Sequence, residues 1–116
     1  MRGKPLVYIA GPLHTSGIEL ENCRRAILQA ERLLALGFAV FVPHFTALWH
    51  FVSPHPPAFF IENDLEILAR CDAMFRLPGE SRGSDAEEAY AKEHEIPVFR
   101  TEQDLLAWVV MRGARK

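Results

Sequence analysis

Two kinds of apolar pattern alternate along this chain. Four short unbroken runs read as strands: Pro5-Leu6-Val7-Tyr8-Ile9-Ala10, Phe38-Ala39-Val40-Phe41-Val42, Ala73-Met74-Phe75-Arg76-Leu77 and Pro97-Val98-Phe99-Arg100. The first stops at Gly11-Pro12 and the second at Pro43. Between the runs the spacing turns helical. Cys23, Ala26, Ile27, Ala30, Leu33 and Leu34 share one face, Glu21, Arg24, Arg25, Glu31 and Arg32 the other, and Gly37 closes the helix. Phe60, Ile61, Leu65, Leu68 and Ala69 mark a second helix running to about Arg70. Residues 85–95 read as a third helix and 102–112 as a last, amphipathic one. Residues 44–58, crowded with proline, histidine and aromatic rings, read as an irregular loop, and loops of that length in a compact domain tend to be functional.

Strands thus alternate with helices, and the strands are continuously apolar rather than alternating. Both features predict a parallel sheet covered on both faces. In such sheets ligands bind outside the carboxyl ends of the strands, where the strand order reverses. Here those places are residues 11–17, 43–57 and 78–84.

Composition narrows the picture. The 116 residues fit one domain, 1–116. Hydrophobic residues make up 49% and charged residues 24%, which excludes disorder and coiled coil. A net charge of −2 is no polybasic footprint, so neither long nucleic acid nor an anionic membrane is an expected partner. The basic start Met1-Arg2-Gly3-Lys4 is followed by an apolar run broken at Gly11-Pro12, unlike a signal peptide, and no stretch approaches the length of a membrane span. Cys23 and Cys71 form neither a C-x-x-C pair nor a disulfide framework, which fits a reducing cytoplasm.

Several residues invite chemistry. The turn Gly79-Glu80-Ser81-Arg82-Gly83-Ser84 enters a helix, where backbone N–H groups, a hydroxyl and a guanidinium suit an anion; an ordinary capped loop reads the same way. Asp85, Glu87 and Glu88 follow it, as helix-dipole acids or as a carboxylate facing the site. Asp64 follows Ile61 by three residues and precedes Leu65 and Leu68, so it borders an apolar face or points to water. Tyr8, inside the first strand, is core packing or a hydroxyl in need of a partner. His14, His44, His50 and His55 sit on no single helix face. They fit a wall around a flat ligand better than a metal site. Arg76 reads as a solvated strand end or as a cation paired with an anion, the first being favoured.

Taken in order, Tyr8-Ile9-Ala10-Gly11-Pro12, Asn22 with Arg25-Ala26, Val42-Pro43-His44, Asn63-Asp64-Leu65, Cys71-Asp72-Ala73 and Gly79 through Ser81-x-Gly83-x-x-x-Glu87 resemble the nucleoside 2-deoxyribosyltransferase-like superfamily, which includes the 2'-deoxynucleoside 5'-monophosphate N-glycosidases. The resemblance spans about residues 5–100. It implies a flavodoxin-like α/β/α sandwich on a four- to five-stranded parallel sheet, and cleavage or transfer at a deoxyribose N-glycosidic bond. It puts the nucleophile at Glu87, six residues after Ser81, the helix acid at Asp64 and the tyrosine that holds the nucleophile at Tyr8. Family transferases carry an aspartate where this chain has Ser81, and Ser81 beside Arg82 tilts the implied substrate toward a 5'-monophosphate. Gly11, Pro12, His44, Gly79 and Gly83 would complete the substrate site, with Phe45 and Trp49 as a base-stacking wall. No metal or organic cofactor is implied; a homodimer or higher homo-oligomer is. The turn departs from the family in continuing Gly83-Ser84 where Gly-Ala or Gly-Val is usual, and the loop at 44–57 matches the characterised enzymes poorly.

The rival is a nucleotide-binding or sensing domain of the same fold without turnover. A receiver domain fails because Arg76-Leu77-Pro78, not an aspartate, ends the third strand. For a flavodoxin, His14-Thr15-Ser16-Gly17 is only a faint echo of the phosphate loop.

Overall fold

The structure, a computed structural model, describes residues 3–13 and 18–114. Strand β1 (Leu6–Ala10) leads to helix α1 (Glu19–Ala35), and β2 (Ala39–Phe41) to a 3₁₀ turn (Pro43–Phe45) and helix α2 (Thr46–Val52). Helix α3 (Pro57–Leu68), β3 (Ala73–Arg76), α4 (Arg82–Glu93), β4 (Val98–Phe99) and α5 (Glu102–Ala114) complete the chain. The four strands form one sheet in the order β2-β1-β3-β4, and all pairs are parallel. Tyr8 sits opposite Phe41 on one side and Met74 on the other, so β1 and β3 are the central strands.

The pleat divides the apolar residues between two cores. Val7, Ile9, Ala73 and Phe75 pack with Ala26, Ala30 and Leu33 of α1 and Leu105 of α5. Tyr8, Ala10 and Met74 point the opposite way, toward Leu68 of α3 and Ala91 of α4. The result is the expected three-layer sandwich, with four strands. No helix among the described residues is long and apolar enough to cross a membrane.

Three stretches differ from the reading of the sequence. The stretch at 44–58 holds the 3₁₀ turn, α2 and the start of α3 instead of an irregular loop. Helix α3 starts at Pro57, which occupies the first helical turn where its missing N–H costs nothing, after an extended Pro56. Helix α4 starts at Arg82, three residues before Asp85, because the Ser81 hydroxyl accepts the Ser84 N–H at 3.0 Å and caps it. Gly37, at φ 101°, closes α1 as its position predicts.

Helices α3 and α4 both cover the Tyr8 face of the sheet, so acids on their inner sides converge over β1 and β3. Leaving the sheet there, Gly11 lets the chain pass Leu77 closely: a Cβ at Gly11 would lie 2.9 Å from the Leu77 Cβ and Cδ1. Gly11→Ala is therefore expected to destabilise the fold by about 1–3 kcal/mol in urea unfolding, as overpacking does. An unchanged midpoint would mean that Leu77 swings aside freely.

Candidate functional site

Tyr8 and Glu87 meet across the α4 face of the sheet. The phenol donates to Glu87 Oε2 at 2.5 Å, joining residues 79 positions apart. Both side chains are buried. Burial, then the negative charges of Glu87 and Asp64, push the Tyr8 phenol far above its ordinary range, so it stays protonated and donates. Burial lifts Glu87 to about 7, against the pull of the Tyr8 hydrogen bond and the Arg76 charge. Asp64, in the middle of α3, is also buried; burial first and the charge of Glu87 second raise it to about 7. Its Oδ1 has no hydrogen-bond partner among the described residues. An unsatisfied buried acceptor calls for an explanation, and a ligand atom or solvent at the site supplies one.

These carboxyls open into a cavity of about 380 Å³, a size suited to a small molecule. Gly11 and Leu13 form its floor after β1, and Pro43, His44 and Thr46 its side after β2. Pro57, Phe60, Ile61 and Asp64 come from α3, and Ser81, Arg82, Gly83, Ser84 and Glu87 from the start of α4. His44 is buried, with Nε2 3.1 Å from the Pro12 carbonyl. A carbonyl only accepts, so this bond puts a proton on Nε2. Arg82 is exposed on the cavity wall and makes no ion pair among the described residues.

Glu88, one residue on, has the opposite surroundings. Arg100 Nη2 donates to both its oxygens at 2.8 and 2.9 Å, Lys92 lies at 3.0 Å and Arg76 at 3.2 Å. Burial pushes its carboxyl up, but the bonds from Arg100 and Lys92 outweigh burial and hold it below the ordinary range. Of the two adjacent glutamates, only Glu87 lines the cavity. Arg76 is buried, contrary to the favoured reading of a solvated strand end, because Asp85, Glu88 and two backbone carbonyls give its charge partners.

The structure brings Tyr8, Gly11, His44, Asp64, Ser81, Arg82, Gly83 and Glu87 to one place. Gly79 shapes the turn at φ 117° and Pro12 anchors His44, but neither lines the cavity. Phe45 and Trp49 do not line it either, and are 62% and 51% exposed. Trp49 instead meets Phe60 edge-on at 5.9 Å, and Phe60 and Ile61 form the apolar wall. Leu13, Pro43, Thr46 and Pro57 lie within the stretches expected to border the site and Ser84 within the turn read as an anion cradle, whereas Phe60 and Ile61 lie outside them and were not expected there. The Pro56-Pro57 pair was the available signal: a helix beginning there turns Phe60, Ile61 and Asp64 to one side. His50 and His55 lie outside the main cavity, the latter stacked on Phe59 at 3.7 Å. No three His, Cys, Asp or Glu side chains among the described residues stand close enough to share a metal ion. His14 and the stretch 14–17 lie outside the described residues.

Among solved structures, the fold is similar to that of a 2-deoxyribosyltransferase from the psychrotolerant bacterium Bacillus psychrosaccharolyticus, with a TM-score of 0.60 and 22% identity over 80% of this chain and 69% of that one. At that identity the likeness establishes the fold. No curated protein matches the sequence. A family profile described as a domain of unknown function, DUF4406, matches residues 5–100. The chain therefore belongs to the DUF4406 domain family.

Proposed function

We propose that this protein cleaves the N-glycosidic bond of a deoxynucleoside 5'-monophosphate, with Glu87 as nucleophile. The observation that carries the reading is the buried Tyr8–Glu87 hydrogen bond beside an unpartnered Asp64, inside a cavity sized for a small molecule. In this reading the Glu87 carboxylate attacks C1' as the bond to the base breaks through an oxocarbenium-like transition state. Asp64, protonated because it is buried, gives its proton to the departing base. It then takes one from the water that attacks C1' and frees Glu87; a second base in place of water makes the reaction a transfer. Tyr8 holds the attacking carboxylate in one orientation. The open N–H groups at the start of α4, with Ser81 and Arg82, receive the phosphate. Phe60 and Ile61 offer the base an apolar surface.

The test is chromatography of the four deoxynucleoside 5'-monophosphates, their nucleosides and the ribonucleotides after incubation with the protein. Free base is expected, with the monophosphates preferred by about tenfold or more in kcat/KM, the worth of roughly one charge-assisted hydrogen bond. Ser81→Asp sharpens the test. Aspartate caps a helix as well as serine does, so α4 is retained while the added charge repels phosphate. Its activity on monophosphates is expected to fall about tenfold or more while unphosphorylated nucleosides are spared. Tight nucleotide binding with no base released by the unmutated protein would leave a sensing domain instead.

A further inference from the structure

Arg76 is the last residue of β3, paired in register with Ala10 of β1. A buried guanidinium at the end of a central strand is costly unless every face of it is met. Here it is met on two sides. Nε donates to the Leu77 carbonyl at 3.3 Å and Nη2 to the Gly79 carbonyl at 3.1 Å, both on the turn leaving the strand. Nη1 donates to Asp85 Oδ1 at 2.9 Å and Glu88 Oε1 at 3.2 Å, both on α4. One side chain thus joins the turn to the helix that carries Ser81, Gly83, Ser84 and Glu87.

The charges around it do not cancel. Arg76, Lys92 and Arg100 are three cations against the two carboxylates of Asp85 and Glu88, leaving one positive charge in excess. Arg100 and Lys92 already hold Glu88. Glu87 is faced by Tyr8 from β1, Asp64 from α3 and Arg76 from β3, with His44 and Arg82 on the walls of the same cavity. Of these groups, Tyr8 and Arg76 oppose the effect of burial on its carboxyl.

We propose that Arg76 is a positioning residue for this cavity: it ties the turn at 77–79 to α4 and supplies the positive charge that Glu87 faces. Its effect on turnover rests on the function proposed above; the tie itself rests on the hydrogen bonds from Arg76 to the Leu77 and Gly79 carbonyls and to Asp85 and Glu88, the residue next to Glu87. The experiment separates the two. The carboxyl of Glu87 is titrated by ¹³C NMR in the unmutated protein, Arg76→Gln and Arg76→Lys, and its signal is identified by its loss in Glu87→Gln.

Arg76→Gln is expected to move the titration up by about one pH unit, and Arg76→Lys, which keeps the charge, to leave it within a few tenths. Base release by Arg76→Gln is then expected to be about tenfold lower at pH 6 and nearly restored at pH 8, since one pH unit is a tenfold change in the ionised fraction. A residue that only supports the fold would lower the rate equally at every pH. An unmoved titration in Arg76→Gln overturns the proposal. If the titration moves but no protein releases base, the proposed function fails and the role of Arg76 stands. Should Arg76→Gln fail to fold, the double variant Arg76→Gln/Glu88→Gln is read against Glu88→Gln alone, from which it is expected to move the titration up by about one pH unit, and no difference between the two overturns the proposal.

Discussion

Glu87→Gln is expected to lose base release by about 10³-fold or more, while nucleotide binding stays within a few-fold. The amide keeps the volume of the side chain and still accepts the Tyr8 hydroxyl, so the cavity is preserved. What disappears is the negative oxygen that forms the bond to C1'. The neighbouring glutamate is the internal control. Glu88→Gln weakens a network with Arg76, Lys92 and Arg100, so its expected effect falls on stability, by about 1–3 kcal/mol since Arg76 keeps Asp85 and two carbonyls, more than on the chemical step. Equal turnover by Glu87→Gln and the unmutated protein would remove Glu87 from the mechanism, whatever the fold.

The second large effect is on pH dependence. Glu87 must be ionised to attack and Asp64 protonated to release the base, and burial brings both to about 7. The two act as a coupled pair, so kcat/KM is expected to follow a narrow bell centred near neutrality. Acid removes the nucleophile and alkali the proton donor. Asp64→Asn is expected to lower the maximum by about 10²-fold or more and to abolish the alkaline limb. Stability moves with the same protons. Both carboxyls have folded pKa values above those of the unfolded chain, so the folded state binds the extra protons. The stability this confers is full below about pH 4 and is lost as pH rises through about 7. At pH 8 Asp64→Asn is therefore expected to melt higher than the unmutated protein, and at pH 4 to show no such gain. Calorimetry at the two pH values checks this, and a gain at both would mean that charge is not the cause.

Much of this was legible before the fold was described, and the parts that were not share a cause. Ser81 lies in one of the stretches after strand ends where the parallel-sheet pattern predicts a site, whereas Tyr8, Asp64 and Glu87 lie outside those stretches and take their expected roles from the family resemblance. That pattern left Asp64 open between the apolar face and water. Burial settles it, and burial depends on α3 packing over β1, which no local spacing encodes. Phe45 and Trp49 were expected at the site because their loop is aromatic. The loop folds into α2 and turns them outward, while Phe60 and Ile61 enter from the next helix. Helical spacing is hard to see there because three prolines and two histidines interrupt it between Trp49 and Ala58. Arg76 was misread for a related reason. Its acids, Asp85 and Glu88, lie beyond a turn whose geometry depends on Gly79, and pairing across such a turn leaves no periodic mark.

The central place of β1 has a consequence for how the molecule comes into being. Tyr8 is made before its neighbours Phe41 and Met74 and well before its hydrogen-bond partner Glu87. Each of these pairings closes a long loop, whose entropic cost must be met before the contact gives anything back. No local segment can assemble the cavity in advance, and a nascent chain carries none of its chemistry until α4 has emerged to meet a strand made 79 residues earlier. A ribosome-bound chain that ends before residue 87 is thus expected to show none of the base release proposed for the folded protein.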